Sequence, residues 1–346
     1  MNRRLAKGST VFLSGIMPIV AWAAAGNSYA PIMGYDDKNG LLYGAAAFHY
    51  QQDHQGLDCG AYGVTNGRNV DSVTLQSADR GRDWTCSADL RLAKTFDNYY
   101  GEGDATAAGD PIRIDENAAD LDSAALRRMG EHLAVGPALG YRVRQQTGLA
   151  ASDGGPSPAR VFNDEASPAL GLRARYDSRD NVQSSRQGSL LGLDLRALPA
   201  ALASGGEGGD AWQAEAQWRS FHPLGGGCVL GQRLAGGASL GDPSYAERYS
   251  LGGTDELRGF QDNRFRGRQY YCLQEELRAP LYRQLSAAAG VDLGDAADDA
   301  LGAPRRSVQA GFRLGLPPSY GMKARVDLGL ADSGERSLAV QFGESF

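Results

Sequence analysis

Charge recurring at every second residue constrains this chain more than any other feature. Val308, Ala310, Phe312, Leu314 and Leu316 alternate with Ser307, Gln309, Gly311, Arg313 and Gly315. Met322, Ala324, Val326, Leu328 and Leu330 alternate with Lys323, Arg325, Asp327 and Gly329; Leu191, Leu193, Leu195 and Ala197 alternate with Gly192, Asp194 and Arg196. A period of two belongs to a β-strand with one apolar and one polar face. Guanidinium and carboxylate groups cannot be buried unpaired in a dry core. The polar face therefore sees water, as one side of a soluble sandwich or as the inner wall of a wet barrel.

The pattern repeats along the chain. From residue 39 onward the sequence divides at Gly, Asp, Asn and Pro clusters into segments of roughly ten residues, the length a tilted transmembrane strand needs. Sixteen are counted: 40–51, 57–66, 70–78, 83–94, 97–105, 121–129, 131–146, 168–177, 187–198, 211–221, 227–240, 268–282, 285–294, 305–316, 320–331 and 337–346. The pattern is poorest over 97–129, and the stretches 150–166 and 201–210 read as exposed loops. An even count puts both ends on one side, the periplasm for a chain delivered through it. Mean hydropathy of −0.38 and the lack of a long apolar run past the first thirty residues exclude a helical membrane protein. Almost no amphipathic helical period is present, which argues against an ordinary aqueous enzyme. The fold expected is all-β: a transmembrane antiparallel barrel of sixteen strands.

Residues 1–23 read as a secretory signal, with Arg3, Arg4 and Lys7 ahead of an apolar core from Val11 to Val20. Cleavage after Ala23 is preferred to cleavage after Ala30, because Pro31 would follow the second cut. Residues 24–38 are then a short periplasmic segment and 39–346 the barrel. Cys59, Cys86, Cys228 and Cys272 could pair in an oxidising compartment, Cys59 and Cys86 being the nearest same-end candidates, but the connectivity is not readable. There is no Cys/His metal spacing and no cofactor fingerprint. A net charge of −6 argues against nucleic acid as a partner.

One stretch departs from the alternation. Residues 249–282, YSLGGTDELRGFQDNRFRGRQYYCLQEELRAPLY, begin as a long loop with glycines at Gly252, Gly253, Gly259 and Gly267 and end as a strand. Long ordered loops in compact architectures are usually functional. Leu257-Arg258-Gly259-Phe260, followed by Glu276-Leu277-Arg278-Ala279-Pro280, resembles the inward-folded loop and next strand of the bacterial surface antigen family. That family contains the outer-membrane barrel-assembly and translocation proteins of Gram-negative bacteria. Tyr176-Asp177-Ser178-Arg179-Asp180-Asn181 with Gly188 resembles a turn of the same family, although Asx turn chemistry alone would explain it. A terminal aromatic, here Phe346, resembles the assembly signal of outer-membrane barrels.

The resemblance places the loop inside the barrel, between strands 11 and 12. Arg258 would then need acidic partners, and parity offers Glu276 on strand 12 and Asp292 on strand 13, about 4.8 Å apart. In the family the tetrad arginine meets an acid on each of these strands, and Asp292-Leu293-Gly294 resembles its D-x-G motif. Glu275 falls on the lipid-facing parity, so it lies near an interface or a local bulge shifts the parity and puts Glu276 in doubt. His49, His54, His132 and His222 show no serine, cysteine or acidic neighbour in a nucleophile arrangement. The resemblance implies a barrel-only member of the family, without its periplasmic repeat domains and without chemistry. It would sit in outer-membrane lipid and assist insertion or translocation of client proteins, with an accessory lipoprotein as a further partner. The alternative is a passive pore lined by Arg142, Arg144, Arg173 and Arg175, or a purely structural barrel; a barrel enzyme ranks third.

Overall fold

The computed structural model describes residues 17–18, 22–24, 27–49, 57–81, 83–101, 111–150, 164–182, 184–316 and 323–346. Sixteen antiparallel strands close into a barrel: β1 Asn27–Asp36, β2 Gly40–His49, β3 Leu57–Thr65, β4 Asp71–Arg80, β5 Trp84–Tyr99, β6 Ile112–Arg128, β7 Leu133–Ala150 and β8 Glu165–Asp177 form the first half. The second half is β9 Gly188–Leu198, β10 Ala211–Gly225, β11 Cys228–Gly241, β12 Gln269–Tyr282, β13 Leu285–Ala297, β14 Arg305–Gly315, β15 Lys323–Ala331 and β16 Arg336–Phe342. Each strand pairs with its sequence neighbour, and β16 returns to β1. The start of β1 and the end of β16 share the lower end of the barrel.

Alternation decides which side chains face where. Leu172, Leu191, Leu273, Leu277, Val308, Phe312 and Leu328 stand outward and remain exposed to the surroundings of the molecule. On β12–β15 Gln274, Glu276, Asp292, Gln309, Arg313, Arg325 and Asp327 point inward and are buried. An apolar exterior around a charged interior is the reverse of a soluble protein and fits a membrane barrel. No helix among the described residues is long and apolar enough to cross a membrane, which says nothing about strands.

The strand count agrees with the sequence, but two errors cancel within it. Barrel pairing begins at β1, within the 24–38 stretch read as a periplasmic segment, not at residue 39. Pro31 and Gly34 hide this strand. Proline removes a ladder donor and is tolerated on a sheet edge, and β1 is close to one: only Tyr35 and Asp36 pair with β16, opposite Val340 and Ala339. In the opposite sense, the segments 83–94 and 97–105 are one strand over their described part, β5. The segment 121–129 is the lower half of a 17-residue β6. At the upper end of β6 the outward residues Arg113, Asp115 and Asn117 are polar and the inward Ile112 and Ile114 apolar, so the apolar-outward parity is lost there. Residues 151–163, 317–322 and most of the signal stretch lie outside the described residues; Met17–Pro18 and Trp22–Ala24 lie antiparallel against β1.

All four cysteines are free. Cys59 and Cys86 sit on β3 and β5 with β4 between them, too far apart to bridge.

Candidate functional site

The segment joining β11 to β12 folds into the lumen. A short antiparallel pair, Tyr249–Leu251 with Phe265–Gly267, carries it inward. An apolar cluster of Leu251, Leu257, Phe260, Phe265, Tyr270 and Cys272 seats it against the wall. Phe260 and Phe265 meet edge to face at 5.2 Å. Gly252 and Gly253 turn the chain with φ of 108° and 121°, and Leu257 holds φ of 50°. A left-handed leucine is uncommon; here its side chain is fully buried in the cluster, which offsets the strain.

Gly259 is required by contact as well as by conformation. Its φ is 109°, and a Cβ there would sit 2.9 Å from backbone atoms of Leu330 and Ala331 on β15. The reciprocal position is Gly329, where a Cβ would lie 2.5 Å from the Gly259 nitrogen. Loop backbone thus lies directly on strand backbone. The Gly259 N–H donates to Ser337 Oγ on β16 at 2.9 Å.

This approach delivers Arg258 to the inner wall. Its backbone N–H and Nε donate to Asp292 Oδ2 at 2.8 and 2.9 Å, and Nη2 donates to Oδ1 at 2.6 Å. Nη1 donates to Glu276 Oε2 at 2.7 Å and to Ser345 Oγ at 3.1 Å. Glu276 and Asp292 come from adjacent strands because the inward parity of β12 and β13 runs unbroken through both. Glu275 faces outward with no bulge around it, the only register shift of this pair falling between Pro280 and Tyr282. Burial would push the Arg258 guanidinium down, but Asp292 and Glu276 outweigh it and raise it above the ordinary value.

Sequence reasoning missed most of what surrounds this pair. Glu276 also accepts from Arg278 Nε at 2.8 Å, Gln309 Nε2 at 2.9 Å, Arg313 Nη2 at 3.1 Å and Ser345 Oγ at 3.2 Å. Gln274 Nε2 donates to Asp292 at 3.1 Å. Arg313 reaches on to Asp327 and Glu344, and Arg325 to Asp327, Asp255 and Gln341. Their signal was polar parity on β14 and β15, which identifies lumen charge but not partners. The C-terminal tail joins the network. Phe346 is buried, stacked with Phe221 at 6.4 Å, and its carbonyl oxygen accepts from Arg278 at 3.1 Å.

A second set of contacts holds the upper part of the loop. Lys38, in the β1–β2 turn, donates to Asp262 at 2.7 Å; Asn263 and Arg266 donate to the two oxygens of Asp97 on β5 at 2.8 and 2.7 Å. Beside them lies a cavity of about 680 Å³, lined in part by Lys38, Asp97, Glu116, Arg142, Tyr245 and Arg266. The far wall is an ion-pair ladder. Arg142 and Arg144 meet Asp120, and Arg173 meets Asp122 and Asp194. Arg175 meets Asp177, so these arginines do not form an uncompensated positive lining. In the turn below β8, Asp177 accepts from the N–H, Nε and Nη2 of Arg179.

The Omp85 superfamily domain matches residues 79–331. The chain belongs to the Omp85 superfamily. Solved structures with the same fold include BamA from Haemophilus ducreyi lacking POTRA domains 1–3, with a TM-score of 0.63 and 13% identity over 92% of this chain and 70% of that one. CdiB from Acinetobacter baumannii has a TM-score of 0.64 and 12% identity over 93% of this chain and 60% of its own. CdiB from Escherichia coli has a TM-score of 0.64 and 13% identity over 92% and 63%. No curated protein sequence matches. At these identities the likeness concerns the fold. Omp85 barrels are outer-membrane proteins of insertion and translocation.

One histidine does have a serine neighbour. Ser220 Oγ lies 2.7 Å from His222 Nε2 on the outer face of β10, a pair the linear spacing did not announce. Ser220 is 2% exposed, and no carboxylate orients the ring among the described residues, so the pair lacks the parts of an activated nucleophile. No group of three His, Cys, Asp or Glu that could hold a metal occurs among the described residues.

Proposed function

We propose that this chain assists insertion of proteins into, or their translocation across, the outer membrane, without chemistry or a cofactor. It would be exported with a cleaved signal and embedded in outer-membrane lipid, and an unfolded client barrel or exported protein would be its substrate. An accessory lipoprotein is a further partner in this reading. The observation that carries it is the joint presence of a rigid lock and a weak seam. Arg258 fixes the loop to β12, β13 and the C-terminal tail, while β1 and β16 share only two register pairs. A barrel that opens along one edge exposes unpaired backbone to a client strand. It needs the rest of its wall to stay closed meanwhile, and the lock supplies that stiffness. Phe346 would act during the chain's own assembly as an aromatic signal and be buried afterwards.

The first experiment is single-channel conductance in planar bilayers, wild type against a deletion of residues 252–267. Low conductance that rises several-fold in the deletion supports a loop that plugs the lumen. Stable high conductance in both proteins favours the passive pore instead. Accelerated folding of a urea-unfolded barrel into liposomes containing the protein is the activity assay, and equal rates with and without the protein refute an assembly role.

A further inference from the structure

Glu275 takes no part in the lock. It stands midway along β12 on the outward parity, with Leu273 and Leu277 on either side, 39% and 44% exposed. Across the ladder its neighbours are Gln232 on β11 and Val291 on β13. Gln232 in turn lies opposite Ser220 on β10. A row of carboxyl, amide and hydroxyl groups therefore crosses three adjacent strands at mid-wall, inside a field of leucine. No hydrogen bond or ion pair reaches the Glu275 carboxyl among the described residues, and neither flanking strand offers it an outward cation. In hydrocarbon a carboxyl group is costly in either protonation state unless it is hydrogen-bonded.

We propose that the outer wall of β10–β12 is a self-association surface, and that its occupant is a second copy of this chain. The row is self-complementary. Gln232 carries two amide donors and Glu275 is an acceptor, side by side on adjacent strands. A two-fold axis between them places the Gln232 amide of each copy on the Glu275 carboxyl of the other, the reciprocal contact a closed dimer requires. Leu234, Leu273 and Leu277 surround the polar centre with apolar surface, so each carboxyl leaves lipid and gains a donor in one step. A foreign membrane segment would have to bring its own buried polar group. A second copy already has one at the right height.

The test uses the full chain, purified in detergent and transferred to lipid nanodiscs, with folding checked by heat-modifiable gel migration. Mass measurements over a dilution series should give a dimer for wild type. Glu275→Leu and Gln232→Leu should each raise the dissociation constant at least tenfold while the barrel folds as well or better, because a leucine on a lipid face removes a polar group. Two single-cysteine chains in a background lacking the four native cysteines, one with Gln232→Cys and one with Glu275→Cys, should cross-link to each other more than to themselves. Wild type that stays monomeric at every concentration overturns the proposal. So does a dimer unchanged in both leucine variants, or a Glu275→Cys chain that cross-links in cell membranes to a different protein.

Discussion

At the wall formed by β12–β15, the side chains of Arg258, which the loop brings to it, and of Arg313 and Arg325 keep 2%, 0% and 1% of their surface exposed, and each meets at least two carboxylates. On the wall formed by β6–β9, Arg142, Arg144 and Arg173 also meet two carboxylates each but keep 34%, 20% and 19% exposed. Pair counts are therefore alike, and hydration separates the walls. Where water reaches a pair, it weakens the attraction and also rescues whichever charge is left alone. Where water is excluded, the network must be complete, and any gap strands a charge. The loop side is thus a single device. The far side is a sum of small, independent contributions that leaves room for water.

The largest expected effect follows from that contrast. Arg258→Ala strands Glu276 and Asp292 and should destabilise the barrel to urea or heat by about 3–5 kcal/mol. Arg173→Ala on the far wall should cost no more than about 1 kcal/mol. A double-mutant cycle on Arg258 and Asp292, including the charge-swapped pair, measures the coupling directly. Equal losses for Arg258→Ala and Arg173→Ala would erase the distinction between the walls, and simple additivity in the cycle would dissolve the bridge.

The glycine contact sharpens the same contrast through shape alone. Gly329→Ala puts a methyl into the Gly259 backbone, and Gly259→Ala adds a disfavoured φ to the mirror-image clash. Each should cost roughly 1–3 kcal/mol and loosen the loop, seen as faster proteolysis within 252–267. Gly192→Ala, on the inner face of β9, meets only the flexible side chain of Gln217 at 3.2 Å and should stay within about 0.5 kcal/mol of wild type. A Gly329→Ala barrel as stable as Gly192→Ala would mean that loop and strand are not in backbone contact.

The two walls also differ in how much of them was legible. Parity and the tetrad were enough to bring Arg258, Glu276 and Asp292 together, because strand spacing is fixed and a one-residue slip would turn Glu276 and Asp292 outward, away from the loop. Glu344 and Ser345 were not legible: they lie past the last strand, where no period applies. Gly329 was hidden because its partner surface is backbone, which leaves no mark in composition. β1 was missed because Pro31 breaks the ladder signal at the edge where the ladder is in fact incomplete. The upper half of β6 was missed because its outward residues Arg113, Asp115 and Asn117 are polar while inward Ile112 and Ile114, packed with Tyr99, are apolar, the reverse of the pattern on the later strands. Ser220 and His222 are two residues apart and so share a face, yet nothing in the sequence says that their side chains meet.

The smallest effect belongs to the upper collar, where the loop meets the β1–β2 turn. Lys38 is mostly buried but its partner Asp262 is 42% exposed, so this tie should resemble the far wall in strength. Burial alone would push the ammonium down; Asp262 and Asp97 outweigh it and hold it above the ordinary lysine value. A lysine raised on folding contributes stability that is complete below its unfolded value and is lost only as pH climbs through the folded one. Lys38→Met should therefore cost about 1 kcal/mol or less, and the loss should be the same at about pH 6 and about pH 9. Urea unfolding at the two pH values measures it. A loss that shrinks at the higher pH would mean that the ammonium titrates in that range and that Asp262 and Asp97 do not hold it. A loss approaching that of Arg258→Ala would mean that the collar is as dry as the lock, and that the lumen divides by height rather than by wall.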